Sequence, residues 1–150
     1  MADLTPQQFS AKLQKLKKAL SEIRARSEVV GILQLNADMQ KRIFNQGLAS
    51  DGKPMGPYLS AGHKKRRSNM QRQIGYKDLE LTGALRRSLV VGESKGHSAL
   101  GFTVDRSRII AIGQEQQIGR PIWRPTKTEL DRMLKAMITQ INKDLKRALS

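Results

Sequence analysis

Reactive side chains are sparse in this chain, and their spacing limits what they can do. There is no cysteine, so neither a thiolate nucleophile nor a disulfide framework is available. The two histidines, His63 and His97, lie far apart in sequence, and both read as solvent-exposed turn residues. Zinc would have to be held by His and carboxylate alone, and no His-Glu-x-x-His pairing exists. Asp78 and Glu80 stand close together beside Thr82-Gly83, where a carboxylate pair could move a proton. Solvation of a polar edge is the simpler reading. Gly113 to Gly119 lacks the Lys-Ser/Thr that a phosphate-cradling loop needs. The expectation is a protein that is not an enzyme, with no catalytic residues, no metal and no cofactor.

The pointed chemistry is charge. Ser50 to Tyr76 contains Lys53, Lys64, Lys65, Arg66, Arg67 and Arg72 against a single acid, Asp51. Clustered Lys and Arg are the electrostatic footprint of phosphate binding. Aromatic side chains only flank the cluster, as Tyr58 and Tyr76, so base stacking on a single strand is not expected. Lys64, Lys65, Arg66, Arg67 and Arg72 are therefore candidates for contact with DNA phosphates without sequence reading. The plain alternative is a solvated loop that meets acidic protein.

The charge of the whole chain points the same way. Its 150 residues carry a net charge of +15, which favours anionic partners and opposes compaction. That length fits one domain and buries roughly 70% of the unfolded surface. Aromatics make up only 4%, so the core is expected from Leu, Ile, Val and Met. No apolar run approaches the roughly 20 residues of a membrane span. The first residues lack the pattern of a signal peptide. A soluble protein is expected, made in the cytoplasm and kept there or assembled there into something larger.

The elements that must position these groups can be read from period and caps. Thr5-Pro6-Gln7-Gln8 combines a capping residue, a proline at the first helical position and a reciprocal Gln. Phe9, Leu13, Leu16, Leu20 and Ile23 then recur at helical spacing. So narrow a stripe packs against one neighbour, in the same chain or in another copy. Val29, Ile32, Leu35, Met39, Ile43 and Phe44 continue the helical period, with Ser27 and Gly31 weakening the join. Two helices or one bent helix are expected over 6–47, stopping at Gly47. Residues 48–78 read as a long basic loop with too few apolar residues to hold a core, and loops of that length are usually functional or disordered. Arg86–Glu93 and His97–Val104 read as a β-hairpin joined by Ser94-Lys95-Gly96. Leu79, Leu81 and Leu85 anchor its start, and Thr82-Gly83 forms a turn. Arg108–Gly119 fits either a strand or a short helix, with helix preferred and Ser107 as its cap. Arg120–Pro125 is extended between prolines. Thr126 to Glu129 is a capping box, and Leu130, Met133, Leu134, Met137, Ile138, Ile141 and Leu145 follow as the apolar face of a long helix.

Three of these segments, in order, resemble a known family. Ser-Asp-Gly-Lys-Pro-Met-Gly-Pro-Tyr-Leu-Ser followed by His-Lys-Lys-Arg-Arg (Ser50–Arg67) resembles its turn, Pro-Leu-Ser and basic run. Leu79–Leu89 resembles its Leu-x-x-Thr-Gly-x-Leu-x-x-Ser. Glu115–Pro125 resembles its His-Gln-x-Gly followed by Arg-Pro-Phe-Leu. The family is that of tail-completion or neck proteins of tailed bacteriophages, including Mu-like virion-morphogenesis proteins, and the match spans about residues 40–148. Gln116 stands where the family often has His, Met55 where an aromatic is common, and Ile122-Trp123 where Phe-Leu is usual.

The resemblance implies a structural virion protein at the head–tail junction, synthesised in the host cytoplasm and needing no membrane. It implies a hexameric ring around the DNA channel. Its partners would be other copies, other phage neck, connector and tail proteins, and packaged DNA. On that reading Tyr58, Leu59, Arg120, Ile122, Trp123 and Arg124 are candidates for the subunit interface, and parts of Ser50–Tyr76 order only in the ring. The expected fold class is α+β in one domain, 1–150. It comprises N-terminal helices over 1–47, the basic loop over 48–78, a small antiparallel sheet with a short helix or strand and an interface segment over 79–125, and a long C-terminal amphipathic helix over 126–150. A non-specific nucleic-acid-binding protein acting alone is the alternative.

Overall fold

A computed structural model describes residues 5–79 and 82–149. Local capping starts the chain. The Thr5 hydroxyl accepts from the Gln8 N–H, and the Gln8 side chain accepts from the Thr5 N–H. Helix α1 then runs from Pro6 to Gln40 and passes into a π-turn, Lys41–Asn45. Ser27 and Gly31 do not break it. Both are buried, and a Cβ on Gly31 would lie 2.4 Å from Met137 Cγ. The small residues let a second helix approach; they do not mark a join.

That second helix is α5, Lys127–Leu149. The expected capping box forms, with the Thr126 N–H donating to Glu129 Oε2 at 2.7 Å and the Glu129 N–H to the Thr126 hydroxyl at 3.1 Å. α5 runs antiparallel to α1, as cross-helix pairs show. Arg42 meets Glu129, Arg132 meets Asp38, and Arg26 faces Asp144.

Between them the chain forms α2 (Ala61–Asn69), α3 (Ala84–Ser88), strands β1 (Leu89–Ser94) and β2 (His97–Phe102), and α4 (Asp105–Ile118). The strands pair antiparallel from Leu89 opposite Phe102 to Ser94 opposite His97. Lys95 and Gly96 make the turn with φ of 52° and 77°, the left-handed pair that matches the twist of a hairpin. The first strand starts at Leu89, not Arg86, because Gly83 in a left-handed conformation opens α3 over Ala84–Ser88. α4 realises the helical reading of Arg108–Gly119, with Gly119 left-handed at its end and donating to the Glu115 carbonyl. Ser107 is buried inside that helix and does not cap it. Leu35, Met39, Ile43, Phe44, Leu89 and Ile122 are central to the core, where the C-terminal half of α1, the hairpin and the Arg120–Pro125 segment meet. The fold is α+β.

Candidate interaction surface around the basic segment

Residues 48–78 are not a loose loop. They are fastened at both ends, and α2 forms in the middle. The first fastening centres on Arg42. The π-turn brings Arg42, Ile43 and Phe44 inward together. Arg42 Nε donates to Glu129 Oε1 at 2.8 Å, and its other nitrogens donate to the carbonyls of Leu48, Ile122 and Arg124 at 3.1 Å. Glu129 therefore caps α5 with one oxygen and holds Arg42 with the other. Ser50 joins the same knot, donating from its N–H to the Pro121 carbonyl and from its hydroxyl to the Ile122 and Arg124 carbonyls. The Asp51-Gly52 turn is closed by a bridge between Leu48 and Pro54, and Met55 enters the core.

The second fastening centres on Asp78. Its carboxylate accepts from the Tyr58 hydroxyl at 2.9 Å, from Arg67 Nη2 at 2.8 Å and from Gln73 Nε2 at 2.7 Å. Arg67 also donates to the Gln73 carbonyl and lies over the Tyr58 ring, 4.5 Å from its centroid. Burial first, and the Asp78 carboxylate with it, push the Tyr58 phenol up to about 12, against the opposing pull of the Asp78 N–H and the Arg67 charge. Tyr76 completes the closure by donating to the Asn45 carbonyl at 2.7 Å. Ser60 caps α2 by accepting from the His63 N–H.

The helix and its anchors sort the candidate residues. Lys65, Arg66 and Arg72 are exposed and Lys64 is half-buried, so these cations reach solvent. Arg67 departs from them: its side chain is fully buried, facing Asp78, and it is not available to phosphate. The basic run thus contains one structural cation. Within the single chain, Ser50–Tyr76 is held by hydrogen bonds at both ends.

The interface candidates divide in the same way. Leu59 is 84% exposed, whereas Tyr58 is buried and Ile122 is completely so; neither of the latter can be a contact for a partner. Trp123 is half-buried, edge-on to Phe102 at 5.0 Å between centroids, and its indole N–H donates to the Ala111 carbonyl. It packs the core. Arg120 and Arg124 are exposed and frame a shallow cleft with Glu115 and Gln116. Arg120 also donates to the Pro54 carbonyl, tying the third resembling segment to the first.

The remaining sequence candidates fall elsewhere. His63 stacks near the Tyr58 ring at 4.8 Å. His97 lies 3.4 Å from the Glu28 carboxylate, whose pKa the Arg24 hydrogen bond, helped by His97, holds below its ordinary 4.5. Asp78 is a structural hub and not a solvated edge; Glu80 and Leu81 lie outside the described residues. Sequence reading missed that hub, although the first acid after a strongly basic run was a signal for it. Among the described residues no three His, Asp or Glu side chains converge as a metal site requires. No helix among them is long and apolar enough to cross a membrane. Compared with models of known families, with curated proteins and with solved structures, the chain has no match in any of the three.

Proposed function

We propose that this chain is a structural subunit of the head–tail junction of a tailed bacteriophage, without catalytic activity, forming a hexameric ring around the DNA channel and completing the tail for joining. The motif order supplies the identity. What supports an assembly role is apolar surface left open on separate elements: Ile109 on α4 is 67% exposed, Ile138 on α5 57% and Leu59 84%. On α4, Ile110 and Ile112 are open beside Ile109, and an apolar cluster left open on one element is the kind of surface that subunits bury against copies or partners. Of the segments carrying the resemblance, the first and the third are bridged by Ser50 and Arg120. In a closed ring, modest contacts gain strength from cyclic repetition. Lys64, Lys65, Arg66 and Arg72 would face channel DNA, touching phosphates without reading bases, or acidic surfaces of neighbouring neck and tail proteins.

Electron microscopy of lysates from a phage whose copy of this gene is interrupted tests the reading. DNA-filled heads beside separate tails are expected; normal joined particles would overturn it. The exposed cations of α2 favour one second reading, a non-specific nucleic-acid binder working alone. That protein would bind duplex DNA as a monomer, with affinity falling steeply as salt rises.

A further inference from the structure

Toward its N-terminus α1 loses its cover among the described residues. The Arg26 guanidinium lies 3.9 Å from Asp144, five residues before the end of α5. Ile23 is the last buried residue toward the N-terminus, 8% exposed; before it Leu20, Leu16, Leu13 and Phe9 are 48%, 50%, 50% and 55% exposed. This arm, Pro6 to Glu22, is about 25 Å long at 1.5 Å per residue. Its apolar residues recur at alternating steps of four and three, which is the 3.5-residue seam of a coiled coil and narrower than the face of a globular helix. The seam also continues an interface the molecule already uses. On the same face it runs into buried Ser27 and Gly31, the latter against Met137 of α5.

Charge selects what can cover it. Between Pro6 and Ser21 there are four lysines and no acid. With the seam at the a and d positions, Lys12 falls at g and Lys17 at e, the positions that set partner choice. Ala19 follows at g, and the next charged residues at flanking positions are Arg24 and Arg26. A parallel pair of copies would set Lys12 against Lys17 of the other copy, and an antiparallel pair would still bring together two arms of four lysines and no acid each. Both arrangements repel. The groove that this chain offers between α1 and α5 is lined by Arg132 and Lys135, so it repels the arm too. A lipid surface would call for a broader apolar face than this single row.

We propose that the arm pairs, as a two-helix coiled coil, with a different protein whose amphipathic helix carries an apolar a/d seam flanked by glutamate or aspartate. This inference stands without the head–tail reading.

Two synthetic helical peptides with identical Leu/Ile seams, one with Glu and one with Lys at e and g, test it by fluorescence anisotropy against the full chain. The Glu peptide is expected to bind roughly tenfold tighter or more, and more weakly as salt rises. The Leu13→Glu/Leu16→Glu variant should lose binding with an unchanged unfolding midpoint, because both side chains are exposed. The Lys12→Glu/Lys17→Glu variant should reverse the preference between peptides. Absence of binding, indifference to peptide charge, or a charge swap without reversal overturns the proposal. So would Leu13- and Leu16-dependent self-association in sedimentation, which points to a second copy, or the same dependence on phosphatidylserine vesicles, which points to lipid.

Discussion

Arg66 and Arg67 are adjacent and chemically identical, yet one faces water and the other is sealed beneath α2. Removing Arg67 leaves the buried Asp78 carboxylate without the cation that it faces, a loss worth about 3–5 kcal/mol. Arg66→Ala should stay within about 0.5 kcal/mol of the parent, as exposed substitutions do. Urea unfolding of the two variants separates them, and equal midpoints would refute the buried placement. Tyr58 adds a pH signature to the same hub. Its phenol is raised from an ordinary 10.0 to about 12, so the folded state holds the proton more tightly than the unfolded chain. The associated stability is intact below pH 10 and is lost as pH rises toward 12. A spectroscopic titration should show a phenolate step near the upper value that disappears in Tyr58→Phe; a step at the ordinary value that Tyr58→Phe removes would contradict the burial.

Elements depend on these residues through a few close approaches. Gly47 ends the π-turn with φ of 65°, and a Cβ there would sit 2.3 Å from the Tyr76 ring and 2.5 Å from the Lys77 carbonyl. Gly47→Ala combines left-handed strain with a collision against backbone, and should cost about 2–4 kcal/mol. Gly113 lies inside α4 with nothing within 4 Å of the same atom. There alanine should stabilise by about 0.5–1 kcal/mol, through helix propensity and a less flexible unfolded chain. Thermal melts of the pair should therefore move in opposite directions, and a shared direction would mean that the turn at Gly47 is placed wrongly.

At the scale of the whole molecule, stability is concentrated at one end. The C-terminal half of α1, the hairpin and the Arg120–Pro125 segment share a core, while among the described residues the arm from Pro6 to Glu22 is held by its own backbone bonds and local pairs. A helix of that length without tertiary cover opens readily. Limited trypsin digestion followed by mass spectrometry should cut first at Lys12 to Lys18, before the exposed Lys65 and Arg66 on the anchored α2. First cleavage at α2 would show that its two fastenings are weaker than the bonds at Arg42 and Asp78 suggest. The acidic coiled-coil partner inferred above should slow the arm cleavage selectively.

The features determined by sequence alone are those whose physics closes within about a helical turn. Both capping boxes, the Lys95-Gly96 turn, the glycine stop at Gly119 and the amphipathic period of α5 form as read, because each depends on neighbours a few residues away. α2 was beyond such reading. Its own sequence is polar and basic, and it is held by Asp78 and Tyr58, which lie outside it. Ile122 and Trp123 sit in a proline-flanked segment that looks like surface; Arg42 and Ser50, distant in sequence, draw its carbonyls down and the side chains follow into the core. The apolar stripe of α1 was plain in the sequence, but its cover was not. Only the docking of α5 decides that Ile23 is buried and Leu20 to Phe9 are not, because burial belongs to the meeting of distant segments and periodicity belongs to one.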